Sequence, residues 1–227
     1  MSSQPTADPY ALYRMQIGTY VRDRLTRMPN MLKIPAAGLD LFVMRDFLSA
    51  EDCAALIERI DADRQPSTIL AANEPDLEFR TSESCNLPPY DPMVQAIQAK
   101  IDRLIGIDPV QGETIQGQRY AVGQQFKPHH DFFYPSEPYW PEQERTGGQR
   151  TWTAMIFLNE PEAGGQTAFP NVNVKVTPRA GNLLTWNNMD AFGAPNIQSL
   201  HTGMPVEAGV KYVITKWYRE RRWGNPV

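Results

Sequence analysis

Cysteine is scarce in this sequence, and no long apolar run occurs. Only two cysteines, Cys53 and Cys85, are found among 227 residues, which excludes the disulfide framework of a small secreted domain. We expect both to be buried as small hydrophobic residues in a reducing environment, without a disulfide between them. No stretch of about 20 apolar residues is present, so the sequence predicts no membrane span.

A strong charge of either sign is also missing. The formal net charge is -4, and this mild acidity gives no reason to expect a nucleic acid as a partner. The first residues show no basic segment followed by an apolar core, so we expect no secretory signal and predict a cytoplasmic protein. Nothing in the sequence predicts the oligomeric state.

Turn-forming residues, by contrast, are plentiful. The chain contains 20 prolines and 15 glycines, which is many for a helical bundle and typical of a jelly roll. The length predicts a single domain over residues 1–227. In this domain we expect residues 1–110 to be mainly helical support and residues 111–220 to form the jelly-roll core.

The spacing of apolar residues predicts three helices in the first half of the chain. These cover residues 10–28, a segment that begins after Ser49, and residues 92–105. Ser49 is expected to cap the second helix, because Asp52 stands at the capping-box distance. Strands are predicted at residues 40–44 and around residues 77–82.

Strand patterns separated by turn signals fill the second half. The predicted strands cover residues 113–121, 125–131, 150–159, 167–169, 172–176, 182–186, 199–206 and 211–219. Helices first and about eight short strands afterwards predict an α+β fold, in which a double-sheeted β-roll packs against the helices.

The chain has only three histidines, and two of them adjoin a carboxylate in P-H-H-D-F. Side chains alternate between the two faces of a strand, so His129 and Asp131 point the same way and His130 points the opposite way. With His201 as third ligand, they would form the two-histidine, one-carboxylate facial triad of non-haem Fe(II) oxygenases. The alternatives are a solvated strand edge with a surface histidine, and a zinc site.

A lysine follows His201 after ten residues, in G-V-K-Y-V-I-T-K-W-Y. On a strand, Lys211 shares one face with Trp217, and Lys216 lies on the other face, where we expect it at the surface. Lys211 either extends its amine to solvent or pairs with a buried anion. The distal carboxylate of a dicarboxylate co-substrate would supply such an anion.

Several motifs, in order, make the chain resemble the prolyl 4-hydroxylases of the Fe(II)/2-oxoglutarate dioxygenase superfamily. They are Y-x-x-G-x-x-F-x-P-H-x-D-F (residues 120–132), G-G-Q-R-T (147–151), F-L-N (157–159), E-A-G-G-Q-T-x-F-P (162–170) and H-x-x-x-P-V-x-x-G-x-K-x-x-x-x-K-W (201–217). The resemblance covers about residues 113–219. It implies a double-stranded β-helix core with supporting N-terminal helices.

The resemblance also implies roles for individual residues, with Fe(II) and 2-oxoglutarate as cofactor and co-substrate and ascorbate as the expected reductant. His129, Asp131 and His201 would bind iron, and Lys211 would pair with the C5 carboxylate of 2-oxoglutarate. Thr167 and Tyr120 would help Lys211, Trp217 would line the cavity beside the oxidised carbon, and Arg150 and Glu113 would hold the substrate. The alternatives are ordinary strand residues for Thr167 and Tyr120, core for Trp217, and surface charges for Arg150 and Glu113.

The implied reaction is hydroxylation of a prolyl residue in a peptide or protein, with O2 consumed and succinate and CO2 formed. The proline-rich segment after Asp131 is predicted to face the substrate through Tyr139 and Trp140, since aromatic residues beside prolines can dock a polyproline-II segment. A self-packed loop is the alternative. Residues 73–87 are predicted to form a second lid. Two other functions stay open: the same chemistry on a free amino acid or another side chain, and a non-catalytic metal- or 2-oxoglutarate-binding module.

Overall fold

The computed structural model describes residues 8–68 and 78–224. Four α-helices occur in these residues: α1 (Ala11–Thr26), α2 (Ala50–Asp63), α3 (Pro92–Ile105) and α4 (Trp140–Arg145). The first three match the predicted helices, and Ser49 and Asp52 form the expected capping box. None of the helices in the described ranges is long and apolar enough to cross a membrane.

Fourteen short strands occur in the described part of the chain. They are β1 (Met31–Lys33), β2 (Leu41–Met44), β3 (Gln65–Pro66), β4 (Glu83–Asn86), β5 (Gln116–Tyr120), β6 (Phe126–His129), β7 (Arg150–Phe157), β8 (Ala163–Gly164), β9 (Thr167–Phe169), β10 (Val174–Val176), β11 (Leu183–Asn187), β12 (His201–Gly203), β13 (Val206–Ala208) and β14 (Lys211–Arg219).

These strands form two facing antiparallel sheets and a separate pair. The large sheet has the order β1-β2-β11-β7-β14-β5-β4-β3, the small sheet has the order β10-β9-β12-β6, and β13 pairs with β8. This is the predicted α+β, double-stranded β-helix architecture, in which the large sheet is backed by helices.

Apolar side chains fill both faces of the large sheet. One cluster includes Ile214 from β14 with Leu56 and Ile101 from α2 and α3. The other includes Val213, the neighbour of Ile214, with Phe169 from the small sheet. Because neighbouring strand residues point to opposite faces, the first cluster lies under the helices and the second lies between the sheets.

Several predicted strand boundaries were wrong. The strand expected at residues 199–206 is two strands, β12 and β13, because Pro205 lies between them and has no N–H to donate to a ladder. Of the strand expected around residues 77–82, residue 77 lies outside the described ranges, residues 78–82 contain only an isolated bridge at Arg80, and β4 begins at Glu83. The proline-rich segment after Asp131 contains the helix α4, with Pro141 in its first turn.

The predicted lid at residues 73–87 is only partly described, since residues 73–77 lie outside the described ranges. Its last part is β4, which pairs with β5 in the large sheet and ends just before the fully buried Leu87. A paired strand of the main sheet does not move as a lid, so the lid prediction was wrong for this part.

Lys216 was also predicted wrongly. It lies on the expected face of β14, but that face is covered by α3 and Lys216 is only 1% exposed. Its Nζ donates to the Glu113 carbonyl at 3.2 Å and lies 3.6 Å from the Asp102 carboxylate.

Candidate active site

Strand pairing brings the two histidines of the predicted metal site together. His201, at the start of β12, is directly opposite His129, at the end of β6. Asp131 follows two residues later, and one ligand atom from each of the three lies within 4.8 Å of the others. His130 turns away, as alternation predicts, and its ring nitrogens meet the Tyr134 hydroxyl and the Ile197 carbonyl.

Backbone carbonyls fix the tautomer of both histidines. Nδ1 of His129 is 2.8 Å from the Lys127 carbonyl, and Nδ1 of His201 is 2.9 Å from the Ser199 carbonyl. A carbonyl oxygen can only accept, so each Nδ1 carries a hydrogen, and Nε2 is the nitrogen that has a lone pair for a metal when the ring is neutral. Burial, with the neighbouring His201, lowers the pKa of His129 well below its usual value, which keeps this imidazole neutral and able to bind a metal.

Asp131 supplies the negative charge of the cluster. Burial alone would raise the pKa of its carboxyl, but the His201 and His129 rings, the Arg150 guanidinium and a hydrogen bond from Thr153 outweigh burial and lower the pKa. The carboxylate is therefore ionised. Two imidazoles and one carboxylate are the donor set that suits Fe(II) with open coordination positions.

A second cluster of polar groups lies in the cavity beside the metal ligands. Lys211 is paired with Tyr120 in the sheet register, and both line this cavity with Thr167. Lys211 is 2% exposed, and no carboxylate of the described residues forms an ion pair with it. The Thr167 hydroxyl is buried without a hydrogen-bond partner in the described structure. A lysine amine without a carboxylate partner and a threonine hydroxyl without a hydrogen-bond partner lie in one cavity. This pair of groups fits the carboxylate end of 2-oxoglutarate.

A groove of about 680 Å³ also reaches the metal ligands and shares His129 and Asp131 with this cavity. Arg150 lies in its wall and forms a two-point ion pair with Glu113, at 2.6 and 2.7 Å. Its guanidinium stacks 4.1 Å from the Trp217 ring, and Arg219 approaches Glu113 from another side at 2.7 Å. Arg150 and Glu113 are therefore a largely buried pair at the groove, and the surface-charge alternative was wrong.

Only one of the two aromatic residues predicted to contact the substrate lines the groove. Tyr139 lines the groove, together with Phe133 and Tyr134. Trp140 begins α4 and is not among the residues that line the groove. The substrate contact predicted for Trp140 therefore has no support from the lining of this groove and stays a prediction.

Arg80 lines the same groove and was not found from the sequence. Its guanidinium lies 4.8 Å from the Phe126 ring, which is stacked on the His129 ring at 3.5 Å. It also donates to the Gln116 side chain at 2.8 Å. An isolated bridge between Arg80 and Phe126 creates this arrangement, and such long-range pairing leaves no local pattern in the sequence.

Comparisons with known proteins agree with this site. Residues 115–219 match the family model of the 2OG-Fe(II) oxygenase superfamily. The chain is 31% identical over 186 residues to a putative prolyl 4-hydroxylase of Acanthamoeba polyphaga mimivirus, covering 80% of this chain and 75% of that protein. It is 37% identical over 145 residues to rat prolyl 4-hydroxylase subunit alpha-1, covering 63% of this chain and 27% of the rat protein.

Solved structures show the same fold. A viral collagen prolyl hydroxylase from Paramecium bursaria Chlorella virus-1, in complex with 2-oxoglutarate, is 25% identical with a TM-score of 0.61, over 79% of this chain and 94% of that chain. A prolyl hydroxylase from Trichoplax adhaerens, bound to a hypoxia inducible factor peptide, is 18% identical with a TM-score of 0.61, over 95% and 94% of the two chains. The latter likeness concerns the fold alone.

The double-stranded β-helix and the His–Asp–His cluster between its sheets define the class of Fe(II)- and 2-oxoglutarate-dependent oxygenases. Within this class, the chain belongs to the prolyl 4-hydroxylase family. It spans about a quarter of the length of the animal alpha-1 subunits that it matches.

Proposed function

We propose that this chain hydroxylates a prolyl residue of a peptide or protein, converting O2 and 2-oxoglutarate to CO2 and succinate as the alcohol forms. The observation that carries this proposal is the position of the His129–Asp131–His201 cluster. It borders both a small cavity that contains a buried lysine without an ion-pair partner among the described residues and a larger groove lined with aromatic residues. The cavity would hold 2-oxoglutarate beside the metal, and the groove would hold the peptide.

The chain contributes binding, orientation and exclusion of water. His129, Asp131 and His201 would hold iron, which with 2-oxoglutarate and O2 supplies the oxidising chemistry when bound. Lys211 would neutralise the distal carboxylate of the co-substrate, and the Thr167 and Tyr120 hydroxyls would donate to it. Because these groups are buried, their electrostatic interactions are stronger than in water.

The groove side would select and hold the substrate. The Trp217 ring borders both the inner cavity and the groove, so it would lie against the carbon that is oxidised. Arg150, held rigidly by Glu113, would donate to a backbone carbonyl of the peptide, and Tyr139 would contact a proline ring. An open groove of this size suits an extended peptide better than a free amino acid, which would need charge partners for both of its ends.

The test is hydroxylation of a panel of proline-containing peptides with Fe(II), 2-oxoglutarate and air, with ascorbate proposed as the reductant. We expect peptide mass to increase by one oxygen on proline with the wild-type chain and not with Asp131→Ala. If succinate formed without oxidation of any peptide, the chain would catalyse the same chemistry on another substrate. A folded, iron-loaded protein that forms neither product would contradict the proposal and favour a binding module.

Lys211 predicts a pH dependence of 2-oxoglutarate binding. Burial lowers the pKa of its amine to about 7, and a bound carboxylate would raise this pKa again. Above pH 7 the amine must take up a proton on binding, so the affinity should fall by up to about tenfold per pH unit. Calorimetry with Mn(II) in place of Fe(II), in two buffers of different ionisation enthalpy, measures both the affinity and the proton uptake. If the affinity for 2-oxoglutarate did not change between pH 7 and pH 9, this assignment of Lys211 would be contradicted.

Arg150→Lys is expected to weaken peptide use while leaving 2-oxoglutarate binding unchanged. Lysine cannot form the two-point pair with Glu113 or stack flat on Trp217. Loss of one charge-assisted hydrogen bond costs about 1.5–3 kcal/mol, so kcat/KM for a peptide should fall by roughly tenfold or more. The matched control is Arg119→Lys, because Arg119 pairs with Glu83 at 2.7 Å outside the groove. Equal losses in both variants would contradict a specific role for Arg150.

A further inference from the structure

A buried hydrogen-bond chain lies behind the carboxylate of Asp131. The Thr153 hydroxyl donates to Asp131 Oδ2 at 2.7 Å, and the Asn188 side-chain amide donates to the Thr153 hydroxyl at 2.9 Å. Thr153 and Asn188 are both fully buried. No local sequence pattern marks these hydrogen bonds, because Asp131, Thr153 and Asn188 are far apart in sequence and meet only in the folded protein.

The direction of each hydrogen bond follows from the chemistry of the groups. An ionised carboxylate can only accept, so the single hydroxyl hydrogen of Thr153 must point to Asp131. The Thr153 oxygen then has only lone pairs to offer Asn188, which must present its NH2 group. The Asn188 carbonyl oxygen consequently has no partner within the described residues. A buried polar atom left unpaired is costly. The hydrogen bond from the Asn188 amide to the Thr153 hydroxyl holds the side chain in this orientation despite that cost.

The backbone around both residues is firmly held. Thr153 lies on β7 between β11 and β14, directly opposite Trp186 on one side and Trp217 on the other. Asn188 follows the end of β11, and its backbone N–H and carbonyl bond to Thr151 and Asn196. Thr153 is thus flanked by two tryptophans in the sheet, and its side chain is fully buried.

We propose that Thr153 and Asn188 are positioning residues that fix the rotation of the Asp131 carboxylate toward the metal, with Asn188 acting through Thr153. This inference rests on the proposed function, since it takes Asp131 as a metal ligand. A carboxylate turns about its Cβ–Cγ bond, and a single strong donor on Oδ2 makes its two oxygens inequivalent. The same oxygen lies 3.8 Å from His201 Nε2, so its placement also sets the geometry between two ligands.

The test measures metal affinity directly, with Co(II) as the probe in calorimetric and visible-absorption titrations of the whole chain. Thr153→Val removes the hydroxyl but keeps the shape, and we expect it to weaken Co(II) binding about 10- to 100-fold. Thr153→Ser restores the donor and should recover most of the affinity. Thr185→Val is the matched control, because Thr185 is equally buried on the neighbouring strand but donates to the Thr153 backbone carbonyl at 2.7 Å.

A double-mutant cycle tests whether Asn188 acts through Thr153. Asn188→Ala should weaken Co(II) binding in the wild-type background and have no further effect when Thr153 is already valine. Equal Co(II) affinity in wild type and Thr153→Val, or a full additional loss from Asn188→Ala in the valine background, would overturn the inference. Failure of the wild-type chain to bind Co(II) would instead overturn the proposed function on which the inference depends.

Discussion

Replacing His129 by alanine is expected to abolish metal binding and, with it, any 2-oxoglutarate-dependent activity. His129 provides one of only three ligands that the described residues bring together, and its imidazole is fixed for binding by the Lys127 carbonyl. Losing a ligand should weaken metal affinity by more than the roughly 10- to 100-fold caused by changes behind the ligands. Co(II) titration and succinate formation are the measurements.

His130→Ala is the control for this prediction, because it removes the neighbouring imidazole. His130 points away from the cluster and contacts Tyr134 and Ile197 at the rim of the groove. Metal affinity should therefore persist in this variant, although peptide affinity can change. If His130→Ala lost metal binding as severely as His129→Ala, the geometry derived for the H-x-D segment would be incorrect.

The strand alternation that separates His129 from His130 shows how much of the site was predictable from sequence. Period-two alternation fixes the face of each side chain, so the orientation of His129, Asp131 and Lys211 followed from their spacing. It does not predict what covers a face. Lys216 was placed on the correct face, but the helix α3 that buries this face belongs to a distant part of the chain.

The fold was predictable wherever a local signal marks an element. The cap at Ser49 and the apolar spacing of α2 are such signals. No helix was predicted in the proline-rich segment that contains α4, yet Pro141 occupies the first turn, where a missing N–H costs nothing. Arg80, Thr153 and Asn188 acquire their roles only through pairing between distant segments, and no local pattern could reveal them.

Lys211→Met is expected to have two opposite effects: loss of 2-oxoglutarate binding and a more stable ligand-free protein. Losing one partner of a buried ion pair costs about 2–5 kcal/mol, or roughly 30-fold or more in affinity. In the ligand-free chain the same lysine is a buried cation that no described carboxylate neutralises. Removing it should therefore increase the free energy of unfolding. Calorimetry measures the affinity, and thermal unfolding without ligand measures the stability.

The gain in stability should depend on pH in a definite direction. The pKa of Lys211 is about 7 in the folded chain, against about 10.4 for an unfolded lysine. Between these values the unfolded state binds more protons, so wild-type stability rises with pH, by up to about 1.4 kcal/mol per pH unit. The advantage of Lys211→Met should therefore be largest below pH 7 and disappear near pH 10. If the stability gain of Lys211→Met did not change with pH, the buried charge of Lys211 would not be its source.

Lys216→Met provides the matched control on the same strand. Lys216 is as deeply buried as Lys211, but it already has partners, the Asp102 carboxylate and the Glu113 carbonyl. Removing it leaves Asp102 buried without its cation, which should destabilise the protein by about 3 kcal/mol, while 2-oxoglutarate binding is retained. The two variants are thus expected to change stability in opposite directions and ligand affinity in only one case. If both destabilised the ligand-free protein, Lys211 would have a partner within the chain, and the cavity beside the metal ligands would not be built for an anion.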